Sequence, residues 1–423
     1  MLTRRAFLGA TSAATLAAIR PAAFLSPIAN AAAPRRVAIV ATIYTHLSHA
    51  QHMGDRFLVG YPRGGKWHRP PVEVVSLYVD QKPDGDLSEQ RAAAHGFDVY
   101  PTIAKTLRCG GDKLAVDGVV IIAEHGNYSR NEKGQKRYPR YEFFQEVVKV
   151  FEQDGQAVPV FNDKHLSYSW KKAKKMVEDS RRLKFPFLAG SSLPVTWRLP
   201  PVEVPYGAEL EEALMIGNGS SDAHDYHALE AMQCMVERRK GGETGIKSVQ
   251  MLEGYHVWKA GDEGRWSKEL LEVALSRSDS LQGVSALDSR PQNLARNGLL
   301  PGLTTSPVAY LIERNDGLRT TLLMLNGAVQ DYTFATKLKG GEFVSTQFFL
   351  PPTPNVNYSA CLVAQIEELI VTGRAPYPVE RTQIASAMLD RCLDSKVSDF
   401  RRIETPELDI TYTAPRQSRF GDQ

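Results

Sequence analysis

The amino-acid sequence predicts a two-domain α/β protein, with an N-terminal doubly wound parallel sheet and a C-terminal α+β domain around an open-faced, mainly antiparallel sheet. Three observations predict this. Apolar, β-branched runs alternate with amphipathic helical segments between residues 36 and 183. A cluster of prolines between residues 194 and 205 then interrupts the alternation. Beyond it, strand-like runs mix with longer helical segments, and 423 residues are too many for one core.

Residues 1–33 have the features of an export signal. The adjacent Arg4 and Arg5 precede an alanine-rich apolar run, and small residues follow at 29–31. The arginine pair is typical of the twin-arginine route, so we expect an exported, periplasmic protein that engages the twin-arginine export machinery. Arg20 and Pro21 leave the apolar run short of the ~20 residues of a membrane span. We therefore expect no membrane span in the mature form.

The region 34–193 is predicted to form the parallel sheet. Its first run, RVAIVATI at 36–43, is apolar and β-branched, as in a strand buried on both faces. The remaining elements follow from segments whose apolar residues recur with the period of a strand or of a helix, and from capping residues such as Ser169. We predict strands at 36–43, 72–79, 98–100, 116–123 and 157–161, and helices at 46–60, 87–95, 102–107, 141–154 and 169–183.

The region 194–400 is predicted to form the α+β domain, and the polar, proline-containing residues 401–423 a loose tail. Strand-like runs lie at 308–313 and 320–326, and helical segments at 226–239 and 359–371. Because one face of the predicted sheet would be open to solvent, we expect self-association into a homo-oligomer.

Composition excludes some partners and leaves the state of the cysteines open. The formal net charge of +3 gives no reason to expect a nucleic acid or an anionic membrane as partner. The cysteines are far apart, without the spacing of a metal site. We expect free, buried thiols, although an oxidising compartment would permit disulfides. The four are Cys109, Cys234, Cys361 and Cys392.

Six segments, taken in order, resemble one protein family. They are RAAAHGFDVYPTI at 91–103, DGVVIIA at 117–123, FFQEVVK at 143–149, VFNDK at 160–164, LSYSWKKA at 166–173 and IEELIVTGRAPYPVE at 366–380. The order resembles that of the glucose–fructose oxidoreductase and inositol 2-dehydrogenase (Gfo/Idh/MocA) family and covers most of residues 36–395. The resemblance implies an N-terminal Rossmann domain, an active site in the cleft between the domains, NAD or NADP as cofactor, and a sugar or polyol as substrate.

The resemblance also implies that a dinucleotide lies across the ends of the parallel strands. The residues expected to contact it are Thr42, Tyr44, Asp80, Glu124, His125 and Asp163. Asp80 ends the second strand, where a carboxylate can hold the adenosine ribose, although it also suits a turn. The fingerprint itself departs from the family, because residues 41–49 read ATIYTHLSH, with no glycine. Tyrosine and histidine side chains would occupy space that the diphosphate needs.

Two catalytic positions follow from the resemblance. The sequence DKH at 163–165 stands where the family has Glu-Lys-Pro, so Lys164 is expected near the reacting hydroxyl, where a buried or charge-coupled amine can take part in acid–base work. His227 matches the histidine of the family's Asp-x-x-x-His helix and is expected to exchange the hydroxyl proton. The aspartate of that motif is replaced by Ala223.

Two carboxylates flank this replaced position. Asp222 and Asp225 each lie close enough to substitute after a small shift, and Asp225 is included among the catalytic candidates with Lys164 and His227. Because Ala223 stands at the position of the family's aspartate, we expect the usual proton relay to be altered.

Two further clusters surround the predicted cleft. Histidines are concentrated there, at His46, His49, His52, His125, His165, His224 and His227. These histidines would line a sugar pocket or pack as hydrogen-bonded core residues. A metal site is the alternative interpretation. Because no spacing matches a metal motif, we predict no metal site. A loop after the fourth predicted strand is basic, at Arg130, Lys133, Lys136, Arg137 and Arg140. It would cover an anionic ligand or cofactor phosphate, or be solvated.

Three functional hypotheses follow. The leading one is an exported oxidoreductase-family enzyme that acts on a carbohydrate or polyol with a nicotinamide cofactor. The second is a lyase or hydrolase of the same fold, metal-assisted or with a trapped cofactor. The third is a non-catalytic sugar-binding relative whose dinucleotide site has decayed, which the missing glycines favour.

Overall fold

The structure is a computed structural model that describes residues 33–280 and 293–421. The predicted export signal lies almost wholly outside these residues, so export stays a prediction. In the described ranges, no helix combines the length and the apolar character that crossing a bilayer requires.

Six parallel strands form the first sheet, in the order β5-β4-β1-β6-β7-β8. The strands of this part of the chain are β1 (Arg35–Ala41), β2 (Tyr61–Arg63), β3 (Lys66–His68), β4 (Val72–Val79), β5 (Asp98–Val99), β6 (Gly118–Ile122), β7 (Val160–Asp163) and β8 (Phe187–Gly190). The helices are α1 (His49–Val59), α2 (Ser88–His95), α3 (Ile103–Leu107), α4 (Arg140–Asp154) and α5 (Trp170–Leu183). The predicted doubly wound parallel sheet is confirmed.

The two-sided burial of β1 explains why this sheet is covered on both faces. Val37 and Ile39 pack with α1, whereas Ala38 and Val40 pack with α3 and α4. A strand of this kind needs helices on either side, as in other parallel sheets. The short hairpin β2–β3 lies between the predicted helix at 46–60 and the predicted strand at 72–79, where the sequence predicted no element.

Eight strands form the second sheet, in the order β17-β12-β13-β14-β10-β15-β16-β9, and all neighbours are antiparallel except β10 and β14. The strands of this part are β9 (Arg198–Leu199), β10 (Leu210–Gly217), β11 (Glu243–Thr244), β12 (Ile246–Glu253), β13 (Val308–Arg314), β14 (Arg319–Met324), β15 (Tyr332–Leu338), β16 (Phe343–Phe348), β17 (Ile403–Glu404) and β18 (Thr411–Tyr412). The helices are α6 (His224–Val236), α7 (Tyr255–Asp262), α8 (Lys268–Leu275), α9 (Leu300–Leu303), α10 (Tyr358–Thr372) and α11 (Glu380–Val397).

The second sheet has one face fully covered and the other covered in part, so the predicted mainly antiparallel sheet is confirmed and its second face is only partly open. Helices α6 and α11 cover one face, and α7 and α8 pack against part of the other. The reason lies in β10, where Met215 faces α6 while Leu214 and Ile216 face α8. A strand that is apolar on both sides requires cover on both, so the open face on which self-association was expected is partly occupied by the chain itself.

The C-terminal segments also differ from the prediction. The tail is not loose, because β17 extends the second sheet, β18 pairs with β11, and Leu408 is fully buried. Helix α10 packs against the parallel sheet, where the side chain of Ile370 lies against Gly118. The chain after residue 193 therefore contributes to the core of both sheets. Among the described residues, no disulfide joins the cysteines.

Candidate functional site

A cleft of about 410 Å³ lies between the carboxyl ends of the parallel strands and the start of α6. Its volume falls within the ~300–1,000 Å³ range of pockets that hold small molecules. Both parts of the chain contribute to the wall. The titratable side chains that line it are His49, Glu124, His125, Arg130, Lys136, Tyr138, Lys164, Asp222, His224, His227, Tyr332 and Tyr358.

Lys164 is held in this wall by a buried ion pair. It follows β7 directly, and its Nζ donates to Glu124 Oε1 at 3.1 Å and to the Ala223 carbonyl at 3.5 Å. Arg140, at the start of α4, donates to the second oxygen of Glu124. Burial alone would raise the pKa of Glu124, but the charges of Lys164 and Arg140 outweigh it and hold that pKa well below its usual range. The carboxylate is therefore ionised and fixes the lysine.

Asp163 and His49 form a second polar pair beside the first. Asp163 ends β7 and is buried, and its Oδ2 lies 2.6 Å from His49 Nδ1. His49 begins α1, where the Ser48 side chain caps the helix by accepting from the Gln51 amide. A carboxylate at Nδ1 favours the tautomer in which Nδ1 carries the proton, which leaves Nε2 free to accept one. The sequence indicated His49 only as one member of a histidine cluster. Its pairing with Asp163 could not be predicted, because 114 residues separate the two in the chain.

The other imidazoles of the cleft are uncharged near neutral pH. Burial, then the proximity of the His49 ring, lowers the pKa of His125 to about 4. Burial, together with Lys164 and His49, holds the pKa of His227 well below its usual range, and the pKa of His224 is lowered for similar reasons. In the described part of the chain, His125 Nε2 and His227 Nδ1 are buried without a hydrogen-bond partner.

Three residues in the cleft have a left-handed backbone. The φ angles of His125, Lys164 and Asp222 are 70°, 61° and 70°. This conformation costs a residue with a Cβ roughly 1–2 kcal/mol and is concentrated at functional sites. The surrounding hydrogen bonds must offset that cost, as the bond from the Lys164 amide to the Gly190 carbonyl at 3.0 Å does.

Asp225, predicted to be catalytic, does not line the cleft. It is fully buried, accepts from the Tyr310 hydroxyl and from the Tyr226 amide, and faces the core beneath α6. Burial raises its pKa to about 6. His224 and His227, on the same helix, do line the cleft, because residues three apart share a face and the two residues between them are buried elsewhere.

The crevice in which doubly wound folds hold a dinucleotide is bridged in this chain. That crevice lies where the strand order reverses, between β1 and β6. Here the Thr42 amide donates to the Ile122 carbonyl at 3.2 Å, and the Thr42 hydroxyl donates to the Glu124 carbonyl at 2.7 Å. The side chain of Ile43 lies against Gly126, since a Cβ added to that glycine would be 3.5 Å from Ile43 Cγ2. The strand ends are thus joined by the chain itself.

The residues predicted at the adenosine end of the crevice also bond to other parts of the chain. The buried Tyr44, predicted to contact cofactor, accepts at its carbonyl from the Leu87 amide at 2.7 Å. Asp80, the predicted ribose ligand, accepts from the Tyr78 hydroxyl at 2.9 Å and from the Tyr128 hydroxyl at 2.7 Å. Thr42, Tyr44 and Asp80 therefore lie where they were predicted but are engaged with other parts of the chain. The residues present do not fit a dinucleotide in this crevice.

The histidine-rich wall does not form a metal centre among the residues that the structure describes. No three His, Cys, Asp or Glu side chains there come together in a way that could hold a metal ion.

Comparison with known proteins identifies the fold. No family model matches the sequence, and no curated protein matches it. The solved structures that it resembles include the myo-inositol dehydrogenase of Lactobacillus casei in complex with NAD(H) and myo-inositol, at a TM-score of 0.52 and 11% identity, over 88% of this chain and 96% of that one. The fold is therefore that of the inositol dehydrogenases, with an N-terminal Rossmann-like sheet and a mixed C-terminal sheet.

Two further enzymes give the same result. The myo-inositol 2-dehydrogenase of Lactobacillus plantarum has a TM-score of 0.51 at 10% identity, over 88% of this chain and 99% of that one. The myo-inositol dehydrogenase of Corynebacterium glutamicum has a TM-score of 0.51 at 13% identity, over 88% and 98%. At these identities the likeness establishes the shared fold, and the chemistry must be argued from the residues of the cleft.

Proposed function

We propose that the cleft binds a sugar or polyol and catalyses a proton transfer on it, as a lyase or hydrolase of the oxidoreductase fold. The observation that carries the proposal is the pair of His49 and Asp163, 2.6 Å apart, beside the pair of Lys164 and Glu124 in one cavity. A neutral imidazole oriented by a carboxylate is a proton acceptor, and a fixed ammonium group is a donor to oxygen.

In this mechanism Lys164 donates a hydrogen bond to the substrate oxygen on which negative charge develops. In a lyase reaction His49 removes through Nε2 the proton on the carbon next to a substrate carbonyl or carboxylate, and Asp163 stabilises the imidazolium that forms. The electron pair left on that carbon expels the hydroxyl group of the neighbouring carbon, which takes the proton from His49 and leaves as water. In a hydrolysis the same imidazole would take the proton of an attacking water and return it to the leaving oxygen. His227, the predicted proton acceptor, lies in the same wall and contacts the substrate as a neutral group. Tyr332 and Tyr358 offer aromatic surface to the apolar face of a sugar ring.

A nicotinamide-dependent oxidation of a sugar or polyol is the second candidate. The likeness to a dehydrogenase solved with NAD(H) and myo-inositol favours it. Because the crevice does not fit a dinucleotide, no step of the mechanism above passes through one. A cofactor would have to bind elsewhere in the cleft or displace the loops that close the crevice.

The proposal is tested by incubating the full chain with a panel of sugars, polyols and sugar acids in D₂O and following each by NMR. Conversion or deuterium uptake without added cofactor, absent in Lys164→Met and in His49→Gln, is the expected result. Lys174→Met is the matched control, since that lysine is exposed on α5. Conversion only with added NAD(P) would favour the second candidate, and binding without conversion would identify a binding protein.

We further propose that the protein is exported through the twin-arginine route, on the basis of Arg4, Arg5 and the apolar run after them. Fusion of residues 1–33 to a reporter and replacement of both arginines by lysine would test this. A homo-oligomer remains a proposal as well, to be tested by light scattering.

A further inference from the structure

The basic loop between β6 and α4 is a built structure with two of its cations facing the cleft. Arg130 and Lys136 pair in an antiparallel bridge, so their side chains lie on the same side of the loop. Asn131 stabilises the turn by accepting from the amides of Lys133 and Gln135 at 3.1 and 2.9 Å. The loop is therefore ordered by its own hydrogen bonds.

Other cations of this loop have partners elsewhere. Lys133 lies 2.5 Å from both Asp390 and Asp394 on α11, which anchors the loop to the second part of the chain. Arg140 is buried against Glu124. These residues fix the position of the loop and take no part in binding.

Arg130 and Lys136, in contrast, have no acidic partner within the described ranges. Arg130 donates to the Gly134 carbonyl, and Lys136 donates to the Gly126 carbonyl at 3.2 Å and lies over the ring of Tyr138. Both line the cleft. Two cations that line a cavity and have no acidic partner of their own form a binding site for an anion.

The balance of charge in the rest of the cleft supports the same conclusion. The single negative charge of Glu124 is shared between Lys164 and Arg140, so one of these two positive charges is left without a matching negative charge. Asp222, the other carboxylate of the wall, accepts from the Lys136 amide at 2.9 Å and from Gln135, and burial raises its pKa. The cavity therefore carries an excess of positive charge.

We propose that Arg130 and Lys136 bind a carboxylate or phosphate group on the sugar or polyol, so that the substrates of this cleft are sugar acids or sugar phosphates. This inference rests on the proposed function of the cleft and specifies its substrate class. The anionic group would lie at the loop, with the reacting carbon between Lys164 and His49.

The test is isothermal titration calorimetry of the full chain with matched ligands. Each hexose of a panel is titrated in three forms: the neutral sugar, the uronate and the 6-phosphate. At low salt we expect at least one anionic form to bind tenfold or more tightly than its neutral partner. The preference should weaken as NaCl is raised, because salt screens the charges. Preference for the uronate or for the phosphate identifies which anion the loop selects.

Variants separate this inference from the proposed function. Replacing both cations, Arg130→Gln with Lys136→Gln, should bring the ratio of the two affinities below about threefold, whereas the control Arg137→Gln, on the same loop but outside the cleft, should retain it. Equal binding of neutral and anionic forms would overturn the inference and leave the proposed function standing. Absence of binding by every form would overturn both. Binding of NADP(H) that is lost in the double variant would also overturn it, because the cations would then hold cofactor phosphates.

Discussion

Lys164 Nζ lies 3.1 Å from Glu124 Oε1, and both side chains are buried at the wall of the cleft. Burying two charges costs free energy unless they are paired and hydrogen-bonded. Here Arg140 and the Ala223 carbonyl complete the bonding of the pair. The protein thus places a charged amine, in a left-handed backbone conformation, beside a cavity that a small molecule can enter.

Replacing Lys164 by Met should lower turnover of the substrate about 100-fold or more, since a positioned proton donor typically contributes that much. Glu124 keeps Arg140 as partner, so the free energy of unfolding should fall by only about 1–3 kcal/mol. Steady-state kinetics and thermal unfolding measure the two effects. The exposed control Lys174→Met should change neither, and full activity in Lys164→Met would remove this residue from the mechanism.

Replacing His49 by Gln should reduce turnover more than replacing His227 by Asn. The reason is that Asp163 orients only the first of these imidazoles, at 2.6 Å. Asp163→Asn should reproduce most of the His49 effect, because an amide cannot stabilise the imidazolium in the same way. Values of kcat and KM for the three variants make the comparison. A larger loss in the His227 variant would return the role of proton acceptor to that residue.

Replacing Asp225 by Asn should leave kcat and KM within about twofold, because this side chain faces the core and not the cleft. Its pKa is raised to about 6 by burial. A carboxyl group with a raised pKa binds its proton more readily in the folded state, so its contribution favours folding below the unfolded pKa and is lost as pH rises through 6. Asp225→Asn should therefore flatten the dependence of the unfolding free energy on pH between the unfolded pKa of this group and pH 6. Urea titrations at a series of pH values would measure this dependence.

The buried histidines should make the protein less stable in acid. The pKa of His125 falls from 6.5 to about 4 on folding, and that of His52 to about 3, chiefly through burial. Between pH 6.5 and 4 the unfolded chain takes up protons that the folded chain refuses, so the free energy of unfolding falls as pH falls. His125→Gln should make that decline shallower, and the exposed His256→Gln is the control. An unchanged slope in His125→Gln would contradict the assigned burial.

The parallel sheet could be predicted from sequence because its signals are local. A run such as VAIVA in β1, apolar at every position, requires burial on both faces, and the alternation with helices gives the topology. Lys164 could be placed at the cleft through its match to the Glu-Lys-Pro motif of the family that the sequence resembles. In the structure it directly follows the parallel strand β7, and the carboxyl ends of such strands meet at one edge.

The remaining features depend on contacts between distant residues. The pairing of His49 with Asp163, and the hydrogen bond between Tyr128 and Asp80 at the crevice, join segments that only the fold brings together.

The covered part of the second sheet, in contrast, had a local signal in the sequence. Leu214 and Ile216 are apolar on the side of β10 that was expected to be open. The direction of Asp225 also had a local signal, because it lies two positions from His227 on α6 and residues two apart do not share a helix face.

The central claim is that the cleft holds a sugar or polyol while the dinucleotide crevice is closed. Native mass spectrometry of the full chain, incubated with NAD(H), NADP(H) and the panel of sugars, sugar acids and sugar phosphates, tests both parts at once. We expect a one-to-one adduct with a sugar derivative that is lost in Lys164→Met, and no adduct with any dinucleotide. A stoichiometric dinucleotide adduct, or the absence of every sugar adduct, would contradict it.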